Sequence, residues 1–279
     1  MKDVIRVEHV TKTYDKFQLK DISFSLPSGC IMGLIGENGA GKTTIMKAIL
    51  NLITPDEGKV YLFGKEFDGK DREVLEQVGI ALDSCYFNLD LTGKNMNHMM
   101  KHIYRNWEED TFYAYLERFS IDPGKPIMEY SKGMGTKLSL ACALSHQSRL
   151  LILDEPAGGL DPAAREELLD LFWNFIQEEN HSILLSSHIV TDLEKICDYI
   201  TYIHKGRLIF SDEKDRLMEK YAVVKGTKSQ LDALEPSAVV SIRENAFGAE
   251  ALVKREWIPE GLAWEPADME TMMIFHNRC

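Results

Sequence analysis

The spacing of apolar and polar positions changes along the chain, and each change marks an element. Val4, Arg6 and Glu8 alternate with Ile5 and Val7 as far as a turn near Tyr14-Asp15-Lys16. Residues 17–20 and 22–26 continue as short strands, so the start is expected to form a small antiparallel unit. The apolar run 30–35 predicts a buried strand, and residues 44–50 follow with apolar side chains at helical spacing. A turn over 54–58 leads into a further predicted strand over 59–65.

From about residue 83 to 147 the period becomes helical. Met96, Met99, Met100 and Ile103 fall on one helical face, and Phe112, Tyr115, Leu116 and Phe119 on another. Both stripes read first as core packing, and the alternative is that part of this region forms an adaptable surface for a partner, since methionine fills irregular interiors and adaptable interfaces alike. Residues 150–153 are continuously apolar and end in Asp154-Glu155, and 182–188 hold a second buried strand. Residues 163–177 between them are helical, with Leu168, Leu169, Phe172 and Ile176 on one face. Strand, helix and buried strand in that order predict a parallel sheet in a three-layer α/β core. Beyond Gly206 the pattern is different. Strands are expected over 221–225 and 238–242, with helices over 229–234 and 269–275. Residues 215–279 are therefore expected to be a small α+β accessory domain behind a main domain of residues 1–214, whose helical subdomain spans about 83–147.

Composition narrows the picture only modestly. The chain has 279 residues, 44% hydrophobic and 27% charged, as expected of a globular protein with a core. No run of about 18 apolar residues exists to span a membrane, and Met1-Lys2-Asp3-Val4-Ile5-Arg6 places charges where a signal peptide needs an apolar stretch. Cys30, Cys85, Cys142, Cys197 and Cys279 are scattered without metal-ligand spacing, which suits a reduced cytoplasmic chain. The net charge of −12, without a lysine or arginine cluster, counts against a nucleic-acid partner.

Chemistry enters at residues 36–43. Gly36-Glu37-Asn38-Gly39-Ala40-Gly41-Lys42-Thr43 matches the phosphate-loop pattern G-x-x-x-x-G-K-[ST] between a predicted strand and a predicted helix. Glycines let the backbone curl so that N–H groups, through Thr44, point at a polyphosphate at a helix N-terminus. Lys42 reaches the β- and γ-phosphates, and the Thr43 hydroxyl is placed for Mg²⁺. Asp154, at the end of its strand, completes the Mg²⁺ shell, and Glu155 is placed to orient or deprotonate an attacking water. The expected fold is thus a P-loop NTPase core.

Lys42-Thr43, Tyr130-Ser131-Lys132-Gly133-Met134, Asp154-Glu155, Gly159-Leu160-Asp161-Pro162 and Ser187-His188, in that order, resemble the ATPase subunits of ABC transporters over about residues 3–215. The resemblance implies that Tyr14 stacks on adenine. It implies that Ser131 and Gly133 bind the γ-phosphate of ATP held by an opposite subunit, and that Asp161 communicates between two sites. It makes His188 the switch histidine at the γ-phosphate. The family signature usually reads Leu-Ser-Gly-Gly-Gln, and the form here is similar to that of bacterial exporters related to bacitracin-resistance and antibiotic-efflux ATPases. Where the family keeps a glutamine-loop residue this chain has Asp83, a Mg²⁺ ligand one methylene shorter in reach.

The resemblance therefore implies an ATPase, with ATP and Mg²⁺ as cofactors, that pairs with a second ATP-binding subunit. Separate transmembrane permease subunits would hold it peripherally at the inner face of the cell membrane, in an exporter of antibiotics or peptides. Two alternatives stay open: a non-transport ATPase of the same superfamily, associated with ribosomes or DNA, and a regulatory subunit of a heterodimeric transporter.

Overall fold

The computed structural model of the chain describes residues 2–82, 87–245 and 248–277. Strands β1 (Asp3–Tyr14) and β2 (Phe17–Pro27) form a long antiparallel hairpin that turns between Tyr14 and Phe17. The two short strands expected over 17–26 are one. Asp21 adopts a φ of 53°, and its N–H donates to the Thr11 hydroxyl at 3.1 Å, so the strand kinks without ending. β3 (Ile31–Ile35) feeds helix α1 (Lys42–Ile49), and β4 (Glu57–Leu62) then returns to pair with β1. The expected strand over 59–65 is interrupted: Phe63 and Gly64, both at positive φ, make a tight turn into the short β5 (Lys65–Glu66). The inward side chains Ile5, Val7, Val10, Leu19, Ile22, Val60 and Leu62 form one core with Ile45 and Ile49 of α1.

After the short helix α2 (Arg72–Leu75) comes β6 (Val78–Ala81). The expected helical stretch contains α3 (Gly93–Ile103), α4 (Glu109–Arg118), a 3-10 turn and α5 (Lys132–Leu144). Thr92 starts α3 because its hydroxyl accepts the Asn95 N–H while the Asn95 side chain accepts the Thr92 N–H. Met96, Met100, Phe112, Leu116 and Phe119 are buried together against Leu138 of α5. Ile103, the last position of the first stripe, is 45% exposed instead.

β7 (Leu150–Asp154), α6 (Pro162–Ile176), β8 (Ser182–Ser186), α7 (Val190–Ile196) and β9 (Tyr199–His204) complete the parallel core. β3, β7 and β8 are buried on both faces, which is why their sequences are continuously apolar rather than alternating. The turn at Lys205-Gly206, both residues at positive φ, reverses the chain into β10 (Arg207–Glu213). The hairpin β9–β10 was not among the predicted elements. It closes a ten-stranded sheet in the order β5-β4-β1-β2-β10-β9-β3-β8-β7-β6.

The remainder is α8 (Lys214–Lys220), β11 (Tyr221–Gly226), α9 (Lys228–Asp232), β12 (Val239–Asn245), β13 (Gly248–Lys254), β14 (Ala263–Pro266) and α10 (Met269–His276). The four strands form an antiparallel sheet in the order β12-β13-β11-β14, of which β13 and β14 were not predicted. Its alternation divides it between two cores. Val224, Ala251 and Val253 pack with Leu231 of α9, whereas Val223, Leu252, Met269, Met272 and Phe275 join the main core beside Leu193 and Ile196 of α7.

Candidate functional site

β3 delivers the chain into the phosphate loop, and two of its glycines are required by close approach. A side chain at Gly36, which has a φ of 155°, would place its Cβ 2.3 Å from the Ile203 carbonyl oxygen. At Gly41, φ 115°, the Cβ would lie 2.6 Å from Leu19 Cδ2 and 2.9 Å from Phe17 Cζ. The turn is fastened from behind, where the Gly206 N–H donates to the Ala40 carbonyl at 3.0 Å. The loop opens on a cavity of about 530 Å³, within the usual size of small-molecule sites.

Within this cavity Lys42 is buried, and its Nζ donates to the Gly36 carbonyl at 2.8 Å. The same Nζ lies 3.6 Å from Glu155 Oε1, an oxygen that has no hydrogen-bond donor. Thr43 Oγ1 donates to Asp154 Oδ2 at 2.5 Å, which joins the first helical turn of α1 to the end of β7. Glu155 leaves β7 with a φ of 51°, in the left-handed region that few non-glycine residues occupy. Its other oxygen, Oε2, accepts from His188 Nδ1 at 2.6 Å. A lysine, two carboxylates, a hydroxyl and a histidine from three segments of the chain thus meet at one place.

Ser186 is the functional neighbour that the sequence reading missed. Its hydroxyl donates to Asp154 Oδ1 at 2.5 Å and accepts the Glu155 N–H at 2.9 Å, fixing both carboxylate-bearing residues. The signal was present in the pairing of β7 with β8, which sets Asp154 opposite Ser186. Lys16, Phe17 and Glu37 also line the cavity without having been singled out.

The other predicted residues divide between this cavity and places outside it. Asn38, Gly39, Gly41 and Thr44 line the cavity, and Ala40 is buried behind it. Tyr14 is 44% exposed at the β1–β2 turn, where Lys12 Nζ sits 5.9 Å from its ring, and Phe17 rather than Tyr14 lines the cavity. Ser131 caps α5, its hydroxyl accepting the Met134 N–H at 3.2 Å, and Asp161 caps α6, accepting the Ala164 N–H at 3.0 Å. The Ala164 bond holds the Asp161 carboxyl below the usual carboxylate range. Gly133 packs near Leu160, so signature and loop are neighbours, but Ser131, Gly133 and Asp161 do not line the Lys42 cavity. Asp83 lies outside the described residues.

Parallel strands that lead into a phosphate loop, with paired carboxylates ending the next-but-one strand, make this a P-loop ATPase. A family model described as ABC transporter matches residues 19–158, and the chain belongs to that family: it binds ATP, and its hydrolysis of ATP is coupled to transport. A bacitracin transport ATP-binding protein of Bacillus licheniformis is 32% identical over 223 residues, 79% of this chain and 73% of the relative. A lantibiotic transport ATP-binding protein of Streptococcus pyogenes is 31% identical over 217 residues, 76% of this chain and 92% of the relative. Among solved structures, an ATP-binding subunit of an ABC transporter superimposes with a TM-score of 0.70 at 27% identity, covering 77% of this chain and 91% of that one. A dimeric cassette bound to ADP and Pi has the same fold, with a TM-score of 0.67 at 20% identity over 75% of this chain and 98% of its own.

Proposed function

We propose that this chain is the motor subunit of a bacterial-type exporter of antibiotics or peptides, working as a pair of ATP-binding subunits beneath separate membrane permeases. The observation that carries the catalytic part is the junction of Lys42, Glu155 and His188 around one carboxylate. In this reading Lys42 leaves the Gly36 carbonyl for the β- and γ-phosphates, and Glu155, freed of that cation, addresses the attacking water. His188 then reports on the γ-phosphate from the far side of Glu155. The hydroxyl of Thr43 and the carboxylate of Asp154 are hard oxygen donors already in contact, and they would hold Mg²⁺. Bound there, the ion supplies neutralisation of phosphate charge. Among the described residues no cluster of three or more histidine, cysteine, aspartate or glutamate ligands competes with this assignment.

Ser131, Gly133 and Asp161 lie away from the chain's own cavity, which suits completion of each site by a second chain. No described helix is long and apolar enough to cross a membrane, so other subunits would carry the cargo, their cytoplasmic helices seated on the helical region of 83–147. The cargo class is proposed from the bacitracin and lantibiotic transport relatives. A Glu155→Gln chain is expected to form an ATP-dependent dimer by size exclusion and light scattering. With its co-purifying membrane protein, the wild type is expected to drive labelled peptide antibiotic into inside-out vesicles. A monomer at saturating ATP would remove the paired site, and ATP-independent uptake would remove the motor.

A further inference from the structure

We infer that Asn277, which closes the C-terminal helix α10, is a positioning residue for the phosphate loop: it clamps Glu37 and so makes nucleotide affinity depend on the seating of the C-terminal unit. The inference rests on the reading of residues 36–43 as the nucleotide loop. Asn277 Nδ2 donates to Glu37 Oε1 at 2.8 Å across 240 positions of sequence, while Asn277 Oδ1 accepts from the Tyr202 hydroxyl. A donor to one side and an acceptor to the other leave this amide one orientation, since a flip would set oxygen against carboxylate. Burial first, and the Glu37 charge second, push the Tyr202 phenol up to about 12, so it remains a proton donor.

Both ends of α10 are secured. Asp268 accepts the Thr271 N–H at 2.7 Å, and the Met269 N–H donates to Glu194 Oε1 of α7 at 3.0 Å. At the other end the His276 ring lies edge-on to Tyr202, Phe210 and Tyr221. Asn277 therefore reaches Glu37 from a fixed base.

Glu37 is a sensitive point to hold. Its carbonyl accepts from the Ala40 N–H at 3.0 Å and lies 3.4 Å from Lys42 Nζ, so it closes the turn that presents the catalytic lysine. Glu37 also lines the cavity, and an untethered negative charge on it would oppose a polyphosphate bound there. Clamping fixes the turn and keeps that charge in one place. By thermodynamic reciprocity, nucleotide must in turn tighten α10.

Titration of ADP, which is not consumed, into the full chain tests this. Asn277→Ala is expected to weaken ADP by about three- to ten-fold. Asn277→Asp, which sets two carboxylates together at unchanged volume, is expected to weaken it more. Adding Glu37→Gln to Asn277→Asp restores one donor and one acceptor with roles reversed, and is expected to recover affinity, a rescue that a merely structural role would not show. In the wild type, ADP is expected to slow amide exchange across 269–277, and in Asn277→Ala it is not. Lys42→Ala is the control. If it weakens ADP while both Asn277 variants bind like wild type with unchanged exchange, the clamp is wrong. If Lys42→Ala itself binds like wild type, the loop reading fails and the clamp falls with it.

Discussion

Glu155 occupies a backbone conformation that its own side chain disfavours, and the hydroxyl of Ser186 is what holds it there. The consequence is a division of labour between neighbours, with Asp154 facing Thr43 and Glu155 facing Lys42 and His188. Glu155→Gln is expected to lower steady-state turnover by about 10²- to 10⁴-fold while ADP affinity stays within about three-fold, because only the proton-accepting group is lost. A phosphate-release assay beside a binding titration checks it, and near-normal turnover would reassign the base. Ser186→Ala leaves a buried carboxylate oxygen and the Glu155 N–H without their partner. Denaturant unfolding is expected to show a loss of about 1–3 kcal/mol, together with reduced turnover. The residues of the phosphate loop and the Asp154-Glu155 pair were legible in sequence because their chemistry requires fixed local spacing. Ser186 and Asn277 were not, since their meaning depends on strand register and on contact across the whole chain.

At the scale of elements, legibility followed periodicity. The apolar stripes of α3, α4 and α6 marked those helices in the sequence, whereas α5 is buried over most of its circumference, shows no stripe and was placed only within the helical region of 83–147. β10 is partly exposed along nearly its whole length and β14 wholly exposed, so neither alternates, and β14 contains a proline that further weakens the strand signal. β13, seven residues long, opens on Gly248 and Ala249, residue types depleted in strands. β9 had its signal in Ile200, Thr201, Tyr202 and Ile203, all favoured on a pleated surface. Ile103 broke the methionine stripe because α3 ends there, where its face is no longer covered. Packing among α3, α4 and α5 centres on Phe112, which is wholly buried. Phe112→Ala is expected to lose about 3–5 kcal/mol in chemical denaturation, the range for a large aromatic removed from a core. A loss below about 1 kcal/mol would contradict the packing.

For the whole molecule, three histidines set a lower limit of pH. Burial holds His146, His181 and His276 below the ordinary value of 6.5, opposed for each by a backbone carbonyl: Glu76, Phe175 and Met272 respectively. The unfolded chain takes up their protons first. Stability is therefore intact above about pH 6.5 and declines as pH falls from there through the lowered values. Melting curves are expected to show a lower Tm at pH 5.5 than at pH 7.5, and a smaller difference when His146, packed face to face on Tyr104 at 3.9 Å, is replaced by glutamine. An unchanged difference would locate the acid sensitivity elsewhere.

The central position of β3 has a further consequence, for how the protein is made. The strand that carries the phosphate loop lies between β8 and β9, so both of its neighbours are encoded in residues 182–204. Gly206, which fastens the loop from behind, follows them. A nascent chain that has emerged only through β7 contains the entire motif, yet β3 has nothing beside it and Ala40 has no donor. Nucleotide cannot then serve as a template for early folding, because its site is among the last parts to exist. Such distant pairings fold slowly and leave apolar strands uncovered meanwhile. The phosphate loop is synthesised early, yet its strand must wait about 150 residues more for β8 and β9 before it has neighbours.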